Sequence, residues 1–334
     1  MARRPLVIDF HAHVIVPEVK KFSAGHVVDS SIPEDSRIRR ADVLAWKKRV
    51  KENRRKTSDF RVRLKEMDKM GVDMQVLTPS LVHQSTYWAD PEASLAMERL
   101  TNERVAEMVA IAPHRFVGLG SVPLQTPIPA VEEMERCIKA LGLRGVVVSS
   151  HARAMELGDA RLRPFWAAAE KLGAVIYVHP DGITDARFRK FQLWNSIGQP
   201  LEEAMAMASL FCEGVLDAHP RLKLCIAHGG GYLPYYPGRM DRNYREKAFT
   251  RVHMSKSPSD YLREHFWYDS CLYDVDLLRF LVHKVGASRV VMGSDYPVGE
   301  GDPVDFVRKA RLSAAAEERI LGKNAAALLG LSVD

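Results

Sequence analysis

Cysteine is scarce and unpatterned in this chain: four in 334 residues, Cys137, Cys212, Cys225 and Cys271, none with CxxC spacing. That argues against a disulfide framework and a thiolate zinc site, and the apolar settings of most of these thiols read as reduced core residues. Long apolar runs are missing as well. The opening MARRPLVIDFHAHVIV puts basic residues before an apolar stretch, but Asp9, His11 and His13 interrupt it and no small-residue cleavage site follows. Neither a membrane span nor a secretory leader is expected, and the expected location is the cytoplasm. No GxGxxG follows a strand-like run and no GxxxxGK[ST] occurs, which removes the usual nucleotide-binding signatures. There is no low-complexity tract and no internal repeat apart from the strand–helix period described below.

What is present is a globular composition, 46% hydrophobic and 27% charged, with a formal net charge of +6. The charge is unevenly placed. Thirteen of the 48 Lys and Arg fall between Arg37 and Lys65, against only Asp42, Glu52 and Asp59 there, so the rest of the chain is slightly acidic. A nucleic-acid interface would want interleaved aromatics or a recognised binding fold, and this segment has only Trp46 and Phe60. Two readings remain, a solvated helical face or a funnel for an anionic small substrate.

Short apolar, β-branched runs recur along the chain: Leu6 to His13, Val72 to Pro79, Phe116 to Pro123, Leu143 to Ser150, Ala174 to His179, Leu222 to His228, Phe266 to Ser270 and Val290 to Asp295. Segments such as Pro91 to Ala112, Pro129 to Leu141, Arg161 to Leu172 and Leu201 to His219 carry apolar residues at helical spacing and serve as crossovers. Runs that are nearly continuous in Val, Ile and Leu imply burial on both faces. Eight such strands predict an α/β fold, a closed (β/α)8 TIM barrel over residues 1–334 with a basic insertion after strand 1. Residues 17–61 form that insert or lid, and Glu317 to Leu329 a closing helix before Gly330. A second long connection, Pro180 to Pro200, holds Phe188, Phe191 and Trp194, which either line a pocket or pack beneath the loop.

The active site of such a barrel lies at the C-terminal ends of its strands. His11 and His13 end the first strand, His179 the fifth, His228 the sixth and Asp295 the eighth. Side chains two apart on a strand point the same way, so both rings of HAH can converge on one ion. Five ligand-type residues at one rim predict a metal site. His228 has a second reading, a structural histidine bonded within the Gly229-Gly230-Gly231 turn. Three imidazoles and one carboxylate suit a divalent ion, zinc first, with manganese or iron possible. An open position would then acidify coordinated water and polarise a carbonyl, phenolate or carboxylate. His228 is better placed as a general acid/base than as a ligand, and Asp295 can both coordinate and shuttle a proton.

FHAH, YVHP, AHGGG and GSDYP, with RLKEMDKMGVDMQVLTPS, YWADPE, RFVGLGSVPLQ and EEMERCIKALGLRGVVV between them, make the chain similar nearly end to end to the decarboxylase-like branch of the amidohydrolase superfamily. That group includes aminocarboxymuconate-semialdehyde, γ-resorcylate and 5-carboxyvanillate decarboxylases. The resemblance implies His11, His13, His179 and Asp295 as metal ligands and His228 as acid/base. It also implies a homodimer in which Arg239, in YYPGRMDR, reaches the neighbouring subunit's site to bind a substrate carboxylate. On its own, Arg239 reads as a surface arginine.

Two departures bear on the substrate. Where the aminocarboxymuconate enzyme carries Arg-Glu-Asn, this chain has Lys51-Glu52-Asn53 and then Arg54-Arg55-Lys56, so the insert's anion anchor is Lys51, Arg54 or Arg55, and a lysine lacks the bidentate grip of arginine. After His179 stand Pro180-Asp181-Gly182 in place of an aromatic residue. Both changes point away from aminocarboxymuconate semialdehyde itself. Binuclear relatives end strand 4 in a carboxylated lysine, and GVVVSSH here favours a mononuclear site. Trp88 and Tyr87 after strand 2 read as pocket walls or core residues, His83 as a substrate contact or a solvent-exposed loop histidine, His151 as a substrate or bracing group, and Asp269 as an orienter of His228. The expected function is a metal-dependent, non-oxidative decarboxylase of an unsaturated or aromatic carboxylic acid. The alternatives are a hydrolase of a lactone or amide, a hydratase, or a binding protein that kept the barrel.

Overall fold

A computed structural model describes residues 5–22, 39–80, 86–183 and 185–332. The eight expected strands are all found. They are β1 (Ile8–Val14), β2 (Met74–Pro79), β3 in two pieces (Phe116–Gly118 and Gly120–Ser121), β4 (Gly145–Val148), β5 (Val175–Val178), β6 (Lys223–Ile226), β7 (Phe266–Asp269) and β8 (Val290–Val291). Every neighbouring pair is parallel: β1 with β2, β2 with β3, and then β3 through β8 in order. Closure comes from the chain beyond β8, where Phe10 N donates to Met292 O, His13 N to Tyr296 O, and Tyr296 N to His11 O. Ala12 and Tyr296 form the corresponding parallel bridge. The eight strands make a closed barrel.

Alternation along the strands separates two apolar layers. Ile8, Phe10, Val76, Val117, Leu119, Val147, Val175, Tyr177, Cys225, Ala227 and Val291 fill the barrel interior. Their neighbours Val146, Val148, Ile176, Val178, Leu224, Ile226 and Val290 belong to the layer between strands and helices. Burial on both faces is what the continuous Val/Ile/Leu runs require of parallel strands. Cys137, Cys225 and Cys271 are buried free thiols, and Cys212 is partly covered.

Helices α1 (Arg40–Ser58) and α2 (Phe60–Met70) precede β2. The four expected crossovers are found as α3 (Pro91–Ile111), α4 (Pro127–Lys139), α5 (Arg163–Leu172) and α6 (Gln199–Cys212), the last ending short of His219, with a separate turn Val215–Ala218 after left-handed Gly214. The expected closing helix before Gly330 is found: Ala314–Glu318, a π-type turn Arg319–Lys323 and Asn324–Leu329 follow without a break in helical backbone, and the helix ends at Gly330 with φ +65. The wider turn lets Ile320 O accept from Met292 N, which ties the C-terminal helix to the strand that carries Asp295. In the basic insert, α1 is a helix whose end reaches the barrel rim: Ile15 N donates to Thr57 O, and the Tyr296 hydroxyl to Lys56 O at 3.5 Å. No helix among the described residues is long and apolar enough to cross a membrane.

Beneath the rim, a buried acid anchors the turn after β2. Glu98 on α3 accepts from the hydroxyls of Thr86 and Ser121. Desolvation outweighs these bonds and raises its pKa to about 8. A carboxyl whose pKa is higher folded than unfolded favours the folded chain while it is protonated. The contribution is complete below about pH 4.5 and is lost as pH rises through about 8. Glu98→Gln should therefore flatten the fall in thermal midpoint between pH 5 and 8.5 and leave the variant the more stable form at the alkaline end. Parallel melting curves at four pH values check this, and equal slopes for both proteins would disprove it.

Candidate metal centre and active site

The interior series of each strand aims a side chain at the barrel mouth. Val175 and Tyr177 fill the interior, so His179 continues the same series at the rim, as Asp295 continues Val291 and Gly293. On β1, Ile8 and Phe10 face inward, which would turn His11 outward. The β1–β2 register shifts between Asp9 and Ala12, however, and the irregularity brings His11 and His13 back into the mouth. Gly293 makes room for them: a Cβ there would stand 2.9 Å from Asp269 Cβ and 3.0 Å from His11 Cβ.

All five sequence-predicted ligand-type residues meet. His11, His179, His228 and Asp295 each offer an atom within 4.8 Å of the others. His13 joins from one side, its Nε2 lying 3.2 Å from His11 Nε2 and 3.1 Å from Asp295 Oδ1. Ring centroids stand 5.0 Å apart for His11–His179, 4.8 Å for His13–His179 and 5.2 Å for His179–His228. Asp295 divides its oxygens. Oδ1 faces His11 Nε2 at 3.3 Å and His13, while Oδ2 faces His228 Nε2 at 3.9 Å and the Tyr273 hydroxyl at 3.3 Å. His228 and Asp295 are both left-handed, at φ +48 and +55, a conformation that is uncommon outside glycine and tends to persist where surrounding structure enforces it.

Electrostatics suits a cation here. Burial and the neighbouring imidazoles push the pKa of His179 well below its usual value, and burial lowers that of His13, leaving both rings neutral, the form that ligates. Burial alone would raise Asp295, but the charges and hydrogen bonds of His11, His13 and His228 hold it well below the ordinary carboxylate range. Burial works against His228 as an imidazolium, yet Glu203 and Asp295 raise its pKa well above normal. Neutral rings around a committed carboxylate make a donor set that fits a divalent metal.

Outer partners orient these groups. Asp269 was expected to orient His228, and here the structure differs. Its Oδ2 instead bonds His11 Nδ1 at 2.8 Å and the Tyr177 hydroxyl at 2.8 Å, and its Oδ1 accepts from Gly229 N and Cys271 N. The reason is geometric: the β7 carboxylate lies inside the barrel, whereas His228 Nδ1 faces a helix. There it meets Glu203 Oε1 at 2.6 Å. Sequence reasoning missed Glu203. Its signal was an acid on the buried face of α6, in register with Ala206, Met207 and Leu210. A second buried network holds the β1 and β8 ends together, with Asp9 accepting from Ser294 N, Ser294 Oγ and Gln75, and Arg63 donating to Gln75 and to the carbonyl of His13. The Arg63 guanidinium also lies 4.6 Å over the Tyr296 ring.

The structure does not gather the residues expected to bind substrate with the His/Asp cluster. Lys51, Arg54 and Arg55 are exposed on α1, and Arg239 is exposed on the helix Gly238–Glu246. Trp88 is partly exposed, while Tyr87 is buried with its hydroxyl accepting from Ser149 N at 3.4 Å. His151 pairs with Glu202 at 3.5 Å, which together with burial's opposing effect leaves its pKa at about 9. Phe191 is exposed, and Trp194 packs over Gly182. His83 lies outside the described residues.

The sequence pattern of the family described as Amidohydrolase matches residues 8–331. The chain belongs to the amidohydrolase family. Within that family it is 32% identical, over 98% of this chain and 92% of the relative, to 2-amino-3-carboxymuconate-6-semialdehyde decarboxylase of Dictyostelium discoideum. Among solved structures, 5-carboxyvanillate decarboxylase from Sphingomonas paucimobilis superposes with a TM-score of 0.85 at 26% identity, covering 98% of this chain and 100% of that one. Dihydroxybenzoic acid decarboxylase from Polaromonas sp. JS666, with bound manganese and the inhibitor 2-nitroresorcinol, gives 0.82 at 26%, covering 99% and 98%. This amidohydrolase lies in the resorcylate, carboxyvanillate and aminocarboxymuconate decarboxylase branch. The His11–Asp269 bond orients a histidine of the candidate metal group, so Asp269→Asn should weaken metal binding by about 10- to 100-fold. Calorimetric titration of the apo protein with manganese or zinc measures this, and unchanged affinity would show that the carboxylate is dispensable.

Proposed function

We propose that this amidohydrolase is a metal-dependent, non-oxidative decarboxylase of an aromatic or unsaturated carboxylic acid carrying a hydroxyl or amino group beside the carboxylate. The observation that carries the reading is the division of Asp295 between two tasks, one oxygen among the ligand imidazoles and the other toward His228. Similarity to decarboxylases over nearly the whole chain supports it. We assign His11, His13, His179 and Asp295 as the residues that hold the ion, and His228 as the acid/base. A bound divalent ion would supply Lewis-acid polarisation of a chelating carboxylate and its neighbouring oxygen or nitrogen. Zinc and manganese both suit the donors, and the manganese in the Polaromonas enzyme gives that ion equal standing.

The remaining chemistry is proton transfer. His228 Nε2 and Asp295 Oδ2 lie on the same side of the site and hold the proton that is delivered to the carbon bearing the carboxylate. As that C–H bond forms, the C–C bond to the carboxylate breaks, its electron pair restores the π system, and CO2 leaves. The acid is drawn in by the cations of α1, Lys51, Arg54 and Arg55, on a helix whose end is bonded to the rim through Thr57 and Lys56. The insert 17–61, of which 17–22 and 39–61 are described, acts as a lid on a single barrel unit. Trp88 and His151 wall the mouth. Arg239 completes the site of a second subunit in a homodimer, and the enzyme works in the cytoplasm.

Incubation of the zinc- or manganese-loaded protein with a pool of hydroxy-, amino- and oxo-substituted aromatic and dienoic acids plus lactones, read by mass spectrometry, should show one component losing CO2. Gain of water instead would move the enzyme to hydrolysis or hydration. Asp295→Asn should lower turnover by about 10³-fold with an unchanged circular dichroism spectrum, and full activity in that variant would refute the assignment. Arg239→Ala should raise KM about tenfold, and sedimentation should give a dimer for the parent protein. A monomer that turns over substrate normally would remove the contribution in trans.

A further inference from the structure

The chemistry proposed above leaves one buried acid at the site without a task. Glu203, on α6, is fully buried, and its Oε1 lies 2.6 Å from His228 Nδ1. Its neighbour Glu202 is engaged elsewhere, accepting from Ser150 Oγ at 2.6 Å and Gly182 N at 3.0 Å and pairing with His151. One helical turn thus sends one carboxylate to the loops after β4 and β5 and the other to His228.

The turn that carries His228 has no side chain of its own to hold the ring. Gly229, Gly230 and Gly231 follow it at φ +61, +78 and +60. A Cβ on Gly231 would stand 2.1 Å from Pro200 O and 2.9 Å from Glu203 Oε2, so the bare turn is what lets α6 bring its acid against the imidazole. The other rim histidines are held differently, His11 through Nδ1 by Asp269 at 2.8 Å and His13 through Nδ1 by Thr78 Oγ1 at 3.5 Å. Among these contacts the His228–Glu203 bond is the shortest.

We propose that Glu203 is the positioning residue of His228: by accepting a hydrogen bond from Nδ1–H it fixes the imidazole tautomer and aims Nε2 at Asp295 Oδ2. A carboxylate accepts only, so the nitrogen facing it must carry the hydrogen, and Nε2 is turned to the reaction side. The catalytic part of this inference rests on the decarboxylase reading, whereas the tautomer does not.

The test uses zinc-loaded protein in three forms, wild type, Glu203→Gln and Glu203→Leu. Long-range proton–nitrogen NMR reads the His228 ring, bound zinc is measured per chain, and kcat and KM are taken on the pooled acids. In wild type the His228 ring should appear in one form in which Nδ1 carries a hydrogen, whether or not Nε2 carries one as well. Glu203→Leu should lose that form and lower kcat by about 10- to 100-fold, with KM and bound zinc within about twofold. Glu203→Gln, whose amide oxygen still accepts from Nδ1–H, should keep the tautomer and recover to within about fivefold of wild type. An unchanged His228 spectrum and kcat in Glu203→Leu would overturn the proposal. So would losses in both variants that track zinc or folded fraction, because Glu203 would then be a packing residue. If the tautomer shifts in Glu203→Leu while wild type decarboxylates none of the acids, the positioning role stands and the decarboxylase reading falls.

Discussion

The hydrogen bond between His11 Nδ1 and Asp269 Oδ2, both groups fully buried, is the constraint on which the metal centre is built. It fixes the ring so that Nε2 faces His13 and Asp295, and it joins β1 to β7 across the strand that lies between them. Only a closed barrel can make that bond. Gly293 of the intervening strand supplies the space, and Tyr177 from β5 donates to the same carboxylate oxygen. Asp269 also accepts from the backbone of Gly229, the residue after His228, so one carboxylate touches the supports of both His11 and His228. A buried carboxylate is costly unless fully bonded, and four hydrogen bonds satisfy this one.

Division of labour among carboxylates is the second organising feature. Asp295 lies among imidazoles that keep it ionised, Asp269 holds His11, Glu203 holds His228, and Glu202 ties the loops of β4 and β5. Asp9, buried behind them, is bonded only to neutral donors, and burial raises its pKa. Burial raises Glu203 as well, to about 7, despite its imidazole partner, whereas the several imidazoles around Asp295 outweigh burial and lower it.

Cation supply is arranged separately from the interior. Arg63 is the one fully buried cation named at the site, and it acts on the backbone of His13 rather than on a substrate. Of the basic groups of the insert, Lys51, Arg54 and Arg55 stay in water on α1, whose end is bonded to the rim through Thr57 and Lys56. Exposed cations cost little to maintain and act at a distance, which suits attraction of an anion rather than structural pairing.

Much of this was legible in the residues. Eight Val/Ile/Leu-rich runs, crossover helices, and histidines and an aspartate at one end of the strands are local patterns, because strand and helix periodicity act over a few residues and each interior series runs on into the mouth. The HAH pair was read correctly as convergent, although the convergence depends on a register shift that alternation alone does not reveal. Partnerships were not legible. Asp269 looked like a partner for His228 because it ends the adjacent strand, and Glu203 looked like an ordinary crossover residue, since nothing local says which nitrogen of which ring faces a given carboxylate. That choice was made by the tertiary structure: hydrogen bonds form over about 3 Å, and only closure of the barrel and packing of α6 against the glycine turn bring residues 25 and 258 positions apart to that distance.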